Sequence, residues 1–436
     1  MKEHDLKISL TNIRAIEQAD IILDGITVLA GENGCGKSTI SKLAYYIFKT
    51  SIEFDEIVEK LLTLDLRILL VRLDALSREL FSDEMGLSEP KKYILIRDSI
   101  FSLFSINEGL DESKLDNIVT VLIDEFNIIG EWRPGIKRAY IALTNSLSLT
   151  EFDAENLTPV LFKIKEVINE KIENAEYKKK IRPIGLLHEG IDRAFYDNPL
   201  PRDYTITEEG VEIINSKKNN ISPFYLIETV AYIDSPIVLG VDVFEKRGYW
   251  DDLNWILKQP NQRSNGKTIN QIFKQDILKG DTSFAEDSLT NKSFIYKRKD
   301  GKEFDLLECA TGIKSFAVLQ ILFKNGFLNN KTLLIIDEPE AHLHPQWVVE
   351  YARLIVLLHK HVGVRFLIAS HHPDMVSAIK YISEKEQVDD KLQYYLAEQT
   401  GEEFKYNYRE LGTDIEAIFE SFNIAFERMD LYGNTE

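Results

Sequence analysis

Residues 31–39 read Gly31-Glu32-Asn33-Gly34-Cys35-Gly36-Lys37-Ser38-Thr39 and fit the pattern G-x-x-x-x-G-K-[ST] at every fixed position. Glycines at these points let the backbone wrap a phosphate chain with several N–H groups turned inward. Lys37 adds a positive charge at the outer phosphates, and the Ser38 hydroxyl is placed to ligate Mg²⁺. Asn33, Gly34, Gly36, Lys37, Ser38 and Thr39 are therefore the candidate phosphate contacts. The flanks fit the chemistry. Residues 26–30 are a short apolar run that reads as a buried strand, and Ile40, Leu43, Ala44, Ile47 and Phe48 fall at helical spacing.

Outward from this loop, Leu6 to Leu10 alternates as a strand does. Asp24-Gly25, set between Ile21–Leu23 and Ile26–Leu29, is a two-residue hairpin signal. From about residue 51 to 219 the spacing turns helical, in 52–80, 115–126 and 161–172, with prolines between. This stretch reads as a mostly helical insertion, without a long run of a/d heptads. From about 220 the α/β pattern returns, with strand runs at 224–233, 293–297, 304–307, 332–336 and 364–369. Lys299-Asp300-Gly301 reads as a hairpin turn, and 346–360 as an amphipathic helix between the last two runs. Strand, helix and strand with short joins make a βαβ unit and hence a parallel sheet. The expected fold is α/β, a mixed or parallel sheet on a P-loop core, interrupted by helices. Its parts are 1–50, 51–219 and 220–436.

The chain has 436 residues, 44% apolar and 28% charged, as a globular protein has. No run of 18 apolar residues is present, so no membrane span is expected. The first residues lack the apolar core of a signal peptide, and two cysteines cannot make a framework of bridges, so a reducing cytoplasm is expected. A net charge of −19 works against a whole-surface attraction to nucleic acid or anionic lipid. Two local basic runs, Lys178-Lys179-Lys180-Ile181-Arg182 and Lys297-Arg298-Lys299, could still contact nucleic acid.

Three further motifs follow in order. Leu333-Leu334-Ile335-Ile336-Asp337-Glu338-Pro339 is an apolar strand ending in two carboxylates. Asp337 suits a Mg²⁺ ligand, and Glu338 suits a general base for an attacking water. Upstream, Thr311-Gly312 at a helix start makes an N-cap and an anion site, or taken alone an ordinary helix cap. Ile368-Ala369-Ser370-His371-His372-Pro373 follows the next strand, where His371 can bond a γ-phosphate and orient the water. The pairs His342/His344 and His371/His372 could also suggest a metal, but their spacing is loose for zinc and no cysteine completes a tetrahedron.

Taken together the set resembles the ATP-binding cassette heads of the SMC, RecF and OLD-like ATPases. Leu10-Thr11-Asn12-Ile13-Arg14 is similar to the N-terminal strand of those heads, whose arginine approaches the nucleotide. Residues 31–38 resemble their Walker A, Asp337-Glu338 their Walker B, Thr311-Gly312 their signature Ser-Gly, and His371 their switch histidine. The stretch 337–345, Asp-Glu-Pro-Glu-Ala-His-Leu-His-Pro, is close to the form in bacterial antiphage ATPases of the PARIS-like and Septu-like systems. The resemblance covers about 1–50 and 220–436. Two features depart from the pattern: the signature has Thr for Ser and lacks the second glycine, and no glutamine stands between Gln18 and Gln259. Asp234 or Ser235 would take the place of the missing Q-loop glutamine.

The resemblance implies ATP and Mg²⁺ as ligands and an ATPase whose site is composite. ATP held by Lys37 and Ser38 of one head would be closed by Thr311-Gly312 of a second, giving a homodimer or higher homo-oligomer. It further implies a sensor that controls a separate effector, a nuclease of TOPRIM or HNH type, triggered by DNA or a phage protein and without a membrane partner. The residues after Asp374 are too few for the TOPRIM domain of OLD-like proteins. The alternatives are a RecF-like DNA-repair ATPase, and a transporter subunit that the missing glutamine disfavours. Cys35, inside the P-loop, is expected to make ATP binding sensitive to thiol reagents.

Overall fold

The computed structural model describes residues 5–82, 90–102, 104–105, 109–110, 112–147, 156–195, 203–235, 238–239, 248–261, 267–286, 292–420 and 432. It divides into two compact units, one of Met1–Ile52 with Pro183–Glu436, the other of Glu53–Arg182.

The larger unit begins with β1 (Leu6–Ile13), β2 (Ile16–Ile22), β3 (Ile26–Ala30) and α1 (Lys37–Ile52). The smaller unit follows as α2 (Phe54–Leu80), α3 (Pro90–Phe101), the two-residue strands β4 (Phe104–Ser105) and β5 (Gly109–Leu110), α4 (Glu112–Ile129), α5 (Pro134–Ser146) and α6 (Leu157–Ile181). The chain then re-enters the larger unit with α7 (Ile184–Phe195), β6 (Tyr204–Glu208), β7 (Val211–Asn215), β8 (Thr229–Ile233), α8 (Tyr249–Leu257) and α9 (Lys267–Gln271). A three-stranded sheet of β9 (Gly280–Glu286), β10 (Lys292–Arg298) and β11 (Glu303–Asp305) precedes α10 (Thr311–Lys324). The rest is β12 (Thr332–Asp337), α11 (Pro345–Val362), β13 (Arg365–Ala369), α12 (Pro373–Glu386), β14 (Leu392–Gln399) and β15 (Tyr406–Gly412).

Ten of these strands form one sheet in the order β7-β6-β1-β2-β15-β14-β3-β13-β12-β8. From β14 to β8 every pairing is parallel. β3 and β12 are buried along their whole length, which is what strands covered on both faces require and why they read as unbroken apolar runs. The β1, β2, β6 and β7 group is antiparallel and alternates more. The architecture is the α/β class expected, a mixed sheet on a P-loop core interrupted by helices.

Two expectations need correction. Asp24-Gly25 does not close a hairpin: β14 and β15 lie between β2 and β3 in the sheet. Gly25 instead offers its carbonyl to the Phe366 N–H at 2.8 Å, and a Cβ on it would meet Lys391 backbone at 2.3 Å, so close approach selects the glycine. The first hairpin is β1–β2, whose turn carries Asn12 and Arg14 at positive φ. Second, the helical unit spans 53–182 rather than 51–219. Residues 204–215 are β6 and β7 on the edge of the main sheet, and α7 also belongs with the larger unit. Strands of five residues at a sheet edge give too short a pattern to stand out against the helices before them.

The helical unit has its own core, in which Leu66, Leu73 and Leu76 of α2 meet Leu122, Leu143 and Leu161. Its last helix stops where Arg182 turns left-handed at φ 48° and Pro183 follows. Two cations of the basic run there are paired locally. Lys179 bridges Glu59 and Glu176 at 2.9 and 2.8 Å, and Arg182 pairs with Asp55 at 3.0 Å while stacking on Phe54. In the second run Lys297 pairs with Glu303 and Arg298 with Asp300. Among the described residues no helix is long and apolar enough to cross a membrane.

Candidate functional site

Parallel strands deliver their C-terminal ends to one edge of the sheet, and in open α/β sheets that edge is where ligands bind. Here β3, β13, β12 and β8 deliver, in adjacent positions, the P-loop, Ser370-His371, Asp337-Glu338 and Asp234. The register fixes the row: Leu29 lies beside Ala369, Ala369 beside Asp337, and Ile336 beside Ile233.

The P-loop backbone takes conformations that only glycine holds without strain, with Gly34 at φ 86° and Gly36 at φ 102°. α1 starts at Lys37, so its free N–H groups face the loop. Lys37 is buried and donates to the carbonyls of Gly31 and Glu32, each at 2.8 Å. A cavity of about 510 Å³ opens beside Ser38 and Thr39, lined also by Arg14, Lys42, Tyr46 and Phe195. Arg14 stands 4.7 Å over the Phe195 ring and donates to its carbonyl at 3.4 Å. A cationic and aromatic wall next to a phosphate loop suits a nucleotide.

Asp337 is buried at the end of β12, and its Oδ2 accepts from the Tyr232 hydroxyl at 2.9 Å. Burial pushes this carboxyl above its usual range. The Ser38 and Tyr232 hydroxyls pull it back down, Glu338 pushes it up, and Lys42 pulls it down. Burial also holds the Tyr232 hydroxyl far above its ordinary range, so it remains a donor. The Asp337 Oδ1 is buried and has no hydrogen-bond partner. An orphaned carboxylate oxygen beside a serine hydroxyl fits a hard divalent cation with oxygen ligands.

Glu338 holds a left-handed φ of 50°, a strained position for a side-chain-bearing residue. Its N–H bonds the Ala369 carbonyl at 2.8 Å, and its own carbonyl accepts from Ala341 at 2.9 Å. The resulting turn leaves the carboxylate half exposed with Oε1 3.5 Å from His371 Nδ1. His371 Nδ1 lies 3.6 Å from Glu340 Oε1 as well.

Two other histidines of these motifs act as helix caps. His344 and His372 each cap the N-terminus of a helix that begins with proline, accepting from Gln346 and Asp374. Among the described residues no cluster of three His, Cys, Asp or Glu could hold a metal ion. Thr311 and Gly312 open α10 and line neither the cavity at Ser38 nor that at Asp337. Gly312 packs so close to Trp347 and Leu343 that a Cβ would lie 3.2 Å from the indole.

A sequence model described as an AAA ATPase domain matches residues 6–376. The chain belongs to the AAA ATPase domain family. No curated protein matches it. Among solved structures, the Smc head domain of Pyrococcus furiosus with an extended coiled coil, bound to the C-terminal domain of ScpA, is 12% identical with a TM-score of 0.35. That alignment covers 97% of this chain and 98% of that one. The SMC head domain from Thermotoga maritima is 12% identical with a TM-score of 0.37, over 93% and 98%.

In this AAA ATPase domain protein the structure adds residues that the sequence reading did not single out. Tyr232 orients Asp337. Glu340 is buried against Ser370 and His371. Asp234 is not free to take the place of a Q-loop glutamine without cost, because Tyr249 and Trp250 both donate to it at 2.6 Å. The apolar context of Tyr232 and the second acid of Asp-Glu-Pro-Glu were visible in the sequence, but which groups they face depends on strand order. Cys35 overturns an expectation. It is fully buried, 3.8 Å from both Lys37 Nζ and the Tyr408 hydroxyl, and burial of this kind works against attack by a thiol reagent.

Proposed function

We propose that the chain hydrolyses ATP at a site completed by a second copy of itself, and that the closed pair controls a separate effector in antiphage defence. The observation that carries the hydrolytic part is the row of strand ends, with Ser38 beside Asp337 and His371 beside Glu338.

Lys37 and the N-terminus of α1 hold the phosphate chain, and Arg14, Tyr46 and Phe195 flank the rest of the nucleotide. Ser38 and Asp337 would hold Mg²⁺, which neutralises charge on the outer phosphates when bound. Tyr232 keeps Asp337 in one orientation by its hydroxyl. Glu338 takes the proton of the attacking water, and His371 orients that water and the terminal phosphate. Water activation by one carboxylate contributes about 10²- to 10⁴-fold to the rate.

Thr311 and Gly312 stand at the free end of α10 and supply the closing contact from the second copy. A helix start with small residues suits an anion. ATP then joins the two copies, and hydrolysis releases them. The effector is a nuclease, and the trigger DNA or a phage protein, all in the cytoplasm. This finer reading draws its support from the resemblance of 337–345. Further support comes from the helical unit, which exposes Leu64, Ile68 and Val71 on one face of α2, as a protein-binding unit does.

Phosphate release and phage plating together test the proposal. Wild type is expected to release phosphate from ATP, and Glu338→Gln to do so about 100-fold more slowly. Cells carrying Lys37→Ala are expected to lose protection. Undiminished protection with Lys37→Ala would sink the defence reading while leaving hydrolysis to its own assay.

A further inference from the structure

Glu340 lies two residues beyond the candidate base, and its side chain is only 4% exposed. A buried carboxylate costs stability unless donors surround it. Its Oε1 receives the Ser370 hydroxyl at 2.8 Å and the His371 N–H at 3.2 Å. Ser370 in turn accepts from the His372 N–H at 3.1 Å. The turn after β13 is therefore tied by a side chain from the turn after β12. The other oxygen, Oε2, is buried with no partner.

A turn lock of this kind does not require an acid. A neutral amide oxygen accepts the same two donors and avoids the desolvation of a charge. What a carboxylate adds is negative charge, which attracts an imidazole N–H more strongly than a neutral amide oxygen does. The His371 Nδ1 makes no hydrogen bond and has two carboxylate oxygens nearby, 3.5 Å away on Glu338 and 3.6 Å away on Glu340. Without Glu340 the ring would have one anchor and could turn about its side-chain bonds. With it, the ring is held from the buried side while Glu338, on the exposed side, keeps its freedom to take a proton.

We infer that Glu340 is a positioning residue, which holds the His371 ring against Glu338 and so sets the geometry of the hydrolytic pair. The inference rests on the hydrolytic reading above. Glu340 touches neither phosphate nor water in this role. Its effect passes through His371.

The test is a double-mutant cycle on the full chain, with steady-state ATP hydrolysis and thermal melting as readouts. Glu340→Gln keeps the acceptor for Ser370 and His371 N–H, so melting is expected to stay at the wild-type temperature. Its kcat is expected to fall about 10- to 100-fold, as removal of an orienting partner typically does. KM for ATP should stay within about twofold, since substrate binding is not touched. Glu340→Asp, which restores the charge, is expected to recover part of the loss. In a His371→Ala background, Glu340→Gln should slow the enzyme no further. The inference is overturned if Glu340→Gln turns over at the wild-type rate, or if it slows the His371→Ala enzyme by the same factor as it slows wild type. A His371→Ala enzyme as fast as wild type would overturn the hydrolytic role of His371, and this inference with it. A slow His371→Ala beside a fast Glu340→Gln removes the role of Glu340 alone.

Discussion

The two units of this chain keep their shape by different means. In the larger one, five strands run parallel, the central β3 and β12 buried along their whole length, and their shared polarity brings four strand ends to a single edge. In the smaller one, helices meet along leucine and isoleucine stripes, and their polar faces carry local ion pairs such as Lys179 with Glu59. A parallel sheet concentrates unlike side chains at one place, whereas a helical bundle spreads its polar groups around a perimeter. The candidate site accordingly lies in the first. The second offers surface, and its described core is an apolar cluster, with the buried Asp74 tied to Arg78 and Tyr93.

The contrast breaks most visibly at Lys37. Lys37→Ala is expected to weaken ATP binding by roughly 100-fold, because the ammonium that faces the phosphate loop is lost. Isothermal titration measures it directly, and near-native affinity would show that the P-loop is not the site. A change of similar structural weight in the other unit should leave the site alone. Leu73 is fully buried in the helical core, and Leu73→Ala is expected to cost about 2–5 kcal/mol there. ATP affinity should hold to within about twofold, since the two cores are separate. Equal losses in both assays would mean that the units melt as one.

Asp337 sharpens the comparison, since function and stability oppose each other at that residue. Its carboxyl titrates above the ordinary value of 3.8 in the folded chain, chiefly through burial. A folded-state value above the unfolded one means the ionised group costs stability. That cost appears as pH rises past the unfolded value and is complete above the folded one. Asp337→Asn should therefore raise the melting temperature of the ligand-free protein by about 2 °C at neutral pH. The gain should vanish in acid, and hydrolysis should be lost. A lower melting temperature at neutral pH would show that the charged form is stabilised rather than strained. The smallest effect concerns the thiols. Cys35 is buried, whereas Cys309 is partly exposed and has its thiol pushed up by burial. Maleimide is expected to label Cys309 slowly and Cys35 only after unfolding, with hydrolysis unchanged by the first event. Rapid labelling of Cys35 by mass spectrometry would contradict the packing of the P-loop.

How much of this the sequence disclosed depended on distance along the chain. Gly31 to Thr39, Leu333 to Glu338 and Ile368 to His371 each pair a strand with its own terminal chemistry inside one short window, so they could be read directly. Asp24-Gly25 could not. It has the composition of a hairpin, but β14 and β15 enter the sheet from almost 370 residues later and separate the strands it joins. The boundary at 182 was hidden for a related reason, because β6 gains its place only by pairing with β1. Tyr232 and Glu340 belong to the same class. Each lies beside a visible motif, and its partner is set by strand order rather than by spacing.

The central claim is a nucleotide held between two copies of the chain, cut by water that Glu338 activates. Light scattering on Glu338→Gln with ATP and Mg²⁺ tests it most directly. A mass near twice that of the chain, persisting with ATP and absent without it, is the predicted result. A variant that binds ATP and stays at the mass of one chain, while wild type pairs, would contradict the account.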